Sequence, residues 1–191
     1  MEILVVSILS YLIGSIPFGF ILTKIFLKKD IRDIGSGNIG ATNALRTGNK
    51  FLGYGTLFLD VIKAVIPVIY VKINYTDYIF VASLCAFLGH VFPLWLKFKG
   101  GKGVATYVGI LLSINLTIGV IFIGVWVFTF LISKYSSLSS ILGSLSVPIY
   151  LFFFTNQDLL FFLTMFILIF YTHRENVKRL KNKEESKTKI Y

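Results

Sequence analysis

From Ile34 to Arg46 the chain reads Ile34-Gly35-Ser36-Gly37-Asn38-Ile39-Gly40-Ala41-Thr42-Asn43-Ala44-Leu45-Arg46. Glycines let a backbone turn its N–H groups toward an anion, here at Gly37 and Gly40, while Ser36, Asn38, Thr42 and Asn43 add neutral donors. Arg46 supplies a planar fork suited to phosphate oxygens. The chemistry this inventory serves is phosphate handling. A second stretch, Lys99-Gly100-Gly101-Lys102-Gly103-Val104-Ala105-Thr106, places Gly101 and Gly103 around a lysine and opens into an apolar run. A helix starting there presents its positive end to an anion, and Lys102 adds a point charge. It is not a Walker A loop, because the spacing G-x-x-x-x-G-K-[ST] is absent. The same residues also suit a flexible basic loop beside a membrane.

Two weaker clusters follow. His173 and Asn176 in His173-Arg174-Glu175-Asn176 stand three apart and share a helical face; the bland alternative is a helix end with cations near its negative pole. Ser137 and Ser140, within Ser136, Ser137, Ser139 and Ser140, share a face as well, with a helix cap as the alternative. Acids near these clusters are few: Asp30, Asp33 and Glu175. That imbalance suits a phosphorylated ligand and argues against a carboxylate-bound metal centre. Cofactor-free acyl or phosphoryl transfer fits it better.

The elements that must position these residues are membrane helices. The chain has 191 residues, of which 55% are hydrophobic and 16% aromatic, and a mean hydropathy of +0.79. Soluble domains run nearer 45–50% apolar. Apolar runs fall at about 3–23, 51–71, 78–96, 104–132, 138–154 and 158–172, against the ~20 residues a span needs. The run at 104–132 is interrupted by Ser113-Ile114-Asn115, which predicts two shorter helices in place of one long one. Seven helices result, several short or tilted; five spans also satisfy the alternation of loops if 104–132 does not cross.

Seventeen of the nineteen basic residues lie in the loops at 24–50 and 97–103, at Lys134 and in the tail after Thr172. The positive-inside rule then puts those loops and the C-terminus in the cytoplasm and the N-terminus outside. This accounts for the net charge of +10 without nucleic acid, for which such a chain has little surface. The one cysteine, Cys85, sits in an apolar run, so a disulfide within the chain is excluded. Met1-Glu2 lacks the positive start of a signal peptide, which predicts an uncleaved first helix. Gly14, Ser15, Pro17 and Gly19 within it permit a kink or close packing. The expected organisation is one transmembrane domain over 1–180 and a basic, disordered cytoplasmic tail over 181–191 near anionic lipid. Inside the second span, Asp60 and Lys63 are three apart and can pair, either as a structural ion pair supporting the site or in direct contact with ligand. His90 reads as a packing or capping residue, with a catalytic role as the alternative.

Gly14-Ser15-Ile16-Pro17-Phe18-Gly19, Ser36-Gly37-Asn38-Ile39-Gly40-Ala41-Thr42-Asn43, Lys99-Gly100-Gly101-Lys102-Gly103-Val104-Ala105-Thr106 and His173-Arg174-Glu175-Asn176 together resemble the bacterial PlsY family, the acyl-phosphate-dependent glycerol-3-phosphate acyltransferases. The resemblance runs from the first helix to about Leu180, with Ile39 and Val177 as conservative departures. It implies a multi-pass enzyme of the bacterial cytoplasmic (inner) membrane, with seven helices and its active site on the cytoplasmic side. It implies transfer of a fatty acyl group from acyl phosphate to the 1-hydroxyl of glycerol 3-phosphate, giving lysophosphatidic acid and phosphate. Carried over by motif position, the candidate site residues are Ser36, Asn38, Arg46, Lys102, Ser140, His173 and Asn176. No metal and no cofactor are implied, and neither acyl-CoA nor acyl carrier protein is the usual donor.

The chemistry agrees with the residues. Acyl phosphate is an activated mixed anhydride, so the enzyme chiefly aligns a hydroxyl and offsets the repulsion of two phosphates. The proton acceptor is open between His173 and a substrate phosphate oxygen. A transporter for a phosphorylated metabolite would also use anion-binding helix ends, but the polar clusters fall at one face and no internal repeat is present. A scaffold binding anionic lipid through the basic tail leaves both glycine-rich loops unexplained.

Overall fold

A computed structural model describes residues 1–188, so Lys189 and the end of the expected basic tail lie outside the described residues. Among the described residues every regular element is helical. The chain divides into two compact units, residues 1–114 and 115–191.

The first unit holds α1 (Glu2–Gly14), α2 (Phe18–Leu27), α3 (Ala41–Leu45), α4 (Lys50–Asn74), α5 (Ile79–Val91) and α6 (Val104–Ile114), with 3₁₀ turns at Ile31–Asp33, Thr76–Tyr78 and Leu94–Leu96. The first apolar run is one stretch of sequence but two helices. It unwinds at Ser15, Ile16 and Pro17, because proline disfavours helix in the residue before it and removes a backbone donor. Gly14 and Gly89 allow α1 and α5 to touch backbone to backbone: a Cβ on Gly14 would collide with the Ala86 carbonyl, and one on Gly89 with that of Tyr11. The kink and the close packing expected around Gly14 and Pro17 are thus both present. At the far end of α6, Lys72 Nζ donates to the carbonyls of Ser113 and Ile114 at 2.8 and 3.0 Å, partnering groups that a helix end leaves open.

The second unit holds α7 (Leu116–Ser133), α8 (Ser136–Phe154), α9 (Leu159–Thr172) and α10 (Arg174–Lys181). The 104–132 run breaks where its polar residues fall: α6 ends at Ile114, and the Asn115 side chain caps α7 by accepting from the Thr117 N–H at 2.8 Å. Four stretches among the described residues are long and apolar enough to cross a membrane, namely Glu2–Leu27, Thr76–Leu96, Leu116–Ser133 and Ser136–Phe154, while Val104–Ile114 and Leu159–Thr172 are shorter apolar helices.

Burial departs from that of a water-soluble protein at the surface as well as inside. Phe58, Phe128, Ile132 and Phe153 are 64–72% exposed, while Thr23, Thr56, Asp60, Lys63, Ser83, His90 and Thr106 are buried. Exposed apolar surface on this scale is a liability in water and fits a hydrocarbon solvent, where polar groups turn inward.

Candidate active site

The loop from Ile31 to Arg46 is organised by one buried carboxamide. Asn43, on α3, is 2% exposed. Its Nδ2 donates to the carbonyls of Ile34 and Asn38 at 2.9 and 2.8 Å and lies 3.1 Å from that of Ile31; its Oδ1 accepts from the Ser36 N–H at 2.9 Å. Asn38 closes a smaller turn, its Oδ1 accepting from the Gly40 N–H at 2.9 Å. The Gly37 N–H donates to Ile34, and Gly37 sits at φ +70°, a left-handed conformation that suits glycine. The geometry therefore differs from the expected cradle of backbone donors. The N–H groups of Ser36, Gly37 and Gly40 are taken up inside the loop, and the Asn43 Nδ2 donates to loop carbonyls. These residues set the loop's shape, while Ser36 and Arg46 are exposed on it and Thr42 is half-buried. At its entrance the Arg32 guanidinium, hydrogen-bonded to Asp30 at 2.6 Å, holds that carboxyl below the ordinary carboxylate range. The pair neutralises itself, so Asp30 adds little repulsion toward an anion.

The second glycine-rich loop joins α5 to α6. Leu96, in the turn that leads into it, shares a buried cluster with Ile31, Ile39, Ala44 and Leu52, so the same core carries the base of both loops. The Gly100 and Gly101 N–H groups donate to the carbonyls of Val91 and His90 at 3.1 and 3.0 Å, which ties the loop to the end of α5. Lys102 is half-buried, between Gly101 and Gly103, which are buried. The first turn of α6 follows at once, and its N-terminal N–H groups carry the positive end of the helix.

In the second unit, His173 lies at the joint between α9 and α10 and is 2% exposed. Its Nδ1 is 2.8 Å from the Ile169 carbonyl. A carbonyl only accepts, so Nδ1 carries a proton; in a neutral ring Nε2 is then the acceptor. Asn176, buried one turn on, donates from Nδ2 to Glu185 Oε1 at 2.7 Å. Ser137 Oγ donates to the same oxygen at 2.7 Å, and Arg179 Nε to Glu185 Oε2 at 2.7 Å. Burial alone would push the Glu185 carboxyl up; the three donors and the arginine charge outweigh it and hold the group below its ordinary value. Ser140 Oγ donates to the Ser136 carbonyl at 2.8 Å and accepts from Trp126 Nε1 at 3.1 Å.

Within the first unit, then, Ser36, Gly37, Asn38, Gly40, Thr42, Asn43 and Arg46 share one loop, and Gly101, Lys102 and Gly103 rest on the adjoining core. Within the second, Asn176 and Ser137 meet through Glu185. The serines do not cap α8, whose cap position is Tyr135. Sequence reasoning passed over Glu185 and Trp126. A lone glutamate in a basic tail and a tryptophan in an apolar run carry no spacing signal. Of the tail expected to be disordered over 181–191, the described part makes contacts: Glu185 accepts the three hydrogen bonds above, and the Thr188 N–H donates to the Lys134 carbonyl at 2.9 Å. The buried donors on α8 and α10 outweigh the tail's low hydrophobicity.

The chain matches the family model described as glycerol-3-phosphate acyltransferase over residues 4–183. It is 78% identical over its full length, and that of the relative, to a glycerol-3-phosphate acyltransferase of Pelagibacter ubique (strain HTCC1062). It is 48% identical to one from Bradyrhizobium diazoefficiens, covering 96% of this chain and 93% of the relative. Among solved structures, it resembles PlsY (YgiH), an integral membrane glycerol 3-phosphate acyltransferase in its glycerol 3-phosphate form, with a TM-score of 0.91 and 35% identity over 98% of this chain and 96% of the other. The lysophosphatidic acid form of PlsY matches with a TM-score of 0.88 over 98% and 95% of the two chains. With the family model spanning nearly the whole sequence, on an all-helical integral membrane fold, the chain belongs to the glycerol-3-phosphate acyltransferase family.

Proposed function

We propose that this enzyme transfers a fatty acyl group from acyl phosphate to the 1-hydroxyl of glycerol 3-phosphate, at the cytoplasmic face of the bacterial inner membrane, with the N-terminus outside. The observation that carries the reading is the Asn43-organised loop, which leaves Ser36 and Arg46 exposed on a fixed backbone next to a second loop bearing Lys102. In the reaction the C1 hydroxyl oxygen attacks the acyl carbonyl carbon. The oxyanion then collapses, the bond to the phosphate oxygen breaks, and lysophosphatidic acid and inorganic phosphate leave. The hydroxyl proton passes to His173 Nε2 or to a phosphate oxygen.

Each residue has a role that suits its setting. Arg46 and Lys102 offset the charge of two phosphates and of the departing group. Ser36 donates to a phosphate or to the oxyanion. Asn38, Asn43, Gly37 and Gly40 hold the loop that carries them, and Thr42 lines it. Gly101 and Gly103 let Lys102 sit close to the core. His173 and Asn176 orient the hydroxyl, and Ser140 supports their helix neighbourhood. No step calls for a metal, because the mixed anhydride is already activated.

The test is an assay of the purified, detergent-solubilised enzyme given acyl phosphate and glycerol 3-phosphate alone. Lysophosphatidic acid and phosphate should appear in equal amounts. Activity with acyl-CoA or acyl carrier protein, and none with acyl phosphate, would reject the donor.

A further inference from the structure

The Gly100–Gly103 loop does not stand free of the helices; it lies directly on the last turns of α5. A Cβ on Gly101 would collide with His90 Nε2 and come within 2.7 Å of Cε1. One on Gly100 would collide with the His90 carbonyl, and one on Gly103 with the ring of Phe87, three residues earlier on the same face. The imidazole is thus in contact with the loop through its Nε2 edge. Its opposite edge faces α4: Nδ1 lies 3.8 Å from Asp60 Oδ1 and has no hydrogen-bond partner among the described residues. Asp60 is held in turn by Lys63, 2.7 Å away, and Lys63 Nζ donates to the carbonyl of Ile16 at 2.7 Å. Ile16 belongs to the unwound segment between α1 and α2. All three ionisable side chains are 2–3% exposed.

A chain of contacts therefore runs from the break in the first span, through Lys63 and Asp60 on α4, to His90 on α5, and ends against Gly101 beside Lys102. We propose that His90 is a positioning residue: a rigid wedge, braced by the Asp60–Lys63 pair, that sets the height of the Gly100–Gly103 loop and so places Lys102 for the phosphate it meets. The ring suits this task. It is flat, has two side-chain torsions, and presents a nitrogen to each neighbour. Closed off beneath Gly101, it has no route to a reacting atom, so it acts through Lys102. Its effect on turnover rests on the acyl-transfer reading above; the wedge itself does not.

The test is a double-mutant cycle between His90 and Gly101, read in kcat, KM and Tm in detergent. Gly101→Ala should lower kcat/KM roughly ten- to a hundredfold, because its methyl meets the ring and lifts the loop, and His90→Ala should cost a similar factor by letting the loop sink. In the double variant the methyl takes up room the ring has left, so the combined loss should fall well short of the product of the two. Losses that simply multiply, or wild-type kcat/KM in His90→Ala, overturn the proposal. Should His90→Ala fail to fold, His90→Gln carries the test: Gly101→Ala should be tolerated better in that background than in wild type, and an equal penalty in both refutes the wedge. In His90→Gln the KM of glycerol 3-phosphate or acyl phosphate should also rise while Tm stays at the wild-type value, a split that a merely structural histidine would not produce. If the wild-type enzyme shows no acyl transfer at all, the functional reading fails. The four Tm values of the His90/Gly101 cycle then still decide the wedge: Gly101→Ala should lower Tm more in wild type than in His90→Ala, and equal drops refute it.

Discussion

In the proposed reaction, Arg46 and Lys102 are the side chains on which anion binding rests. Each would offer a charge-assisted hydrogen bond of about 1.5–3 kcal/mol, so Arg46→Ala and Lys102→Ala should each lower kcat/KM by roughly ten- to a hundredfold with Tm unchanged. Steady-state kinetics on folded variants checks this, and wild-type turnover and affinity in either one rejects the assignment. His173 is a sharper case. Its Nδ1 lies 2.8 Å from the Ile169 carbonyl, and in the proposed reaction Nε2 either accepts the hydroxyl proton or holds the hydroxyl in line. If the ring is the base, His173→Ala, His173→Asn and His173→Gln should all lose about 10²–10⁴-fold in kcat, and a limb of the pH–rate profile should vanish. If a substrate phosphate is the base, His173→Asn and His173→Gln should keep much of the rate that His173→Ala loses. We expect the second outcome, since acyl phosphate needs little activation of its attacker; an equal collapse of all three variants decides for the base.

At the scale of elements, Glu185 joins the start of α8 to α10 through Ser137, Asn176 and Arg179. The folded carboxyl titrates below its unfolded value, so its stabilising effect is present above about pH 4.3 and is lost as pH falls through the folded value. Glu185→Gln should cost about 1–2 kcal/mol at neutral pH. That figure is modest because Arg179 is 38% exposed and its share is screened. The measurement is Tm in detergent at pH 7 and pH 4: the gap between wild type and Glu185→Gln should narrow at the lower pH, and a constant gap would contradict this account. Because the same carboxylate orients the Asn176 amide, kcat should fall in the variant as well.

For the molecule as a whole, the open question is which way it lies in the membrane. In the proposed topology the 25-residue helix α4 crosses the membrane and serves as a ruler, since its first and last residues are about 36 Å apart, longer than a ~30 Å hydrocarbon core. Lys50 and Asn74 are both exposed. Single cysteines placed there in a Cys85→Ser background should respond oppositely to a membrane-impermeant thiol reagent in intact cells. Asn74→Cys should be labelled and Lys50→Cys protected, placing both glycine-rich loops in the cytoplasm with the water-soluble substrate. The reverse pattern would invert the topology.

Much of this was legible without coordinates. A helix in a membrane is read from the length of its apolar run, and a break from polar residues such as Ser113-Ile114-Asn115, because both depend on neighbours in sequence. The two glycine-rich loops announced themselves the same way, through glycine, hydroxyl and cation packed into a few positions. What tertiary structure decided was which donors remain for a ligand. Residue types make Asn43, Gly37 and Gly40 look like ligand groups; in the fold the Asn43 amide and the Gly37 and Gly40 N–H groups make hydrogen bonds within the loop, because buried polar groups must be satisfied. The partnerships of Glu185 with Asn176 and of His90 with Gly101 lie further still from sequence pattern. Each depends on distance across packed helices, and a side chain's partner on another helix leaves no periodicity in the chain that carries it.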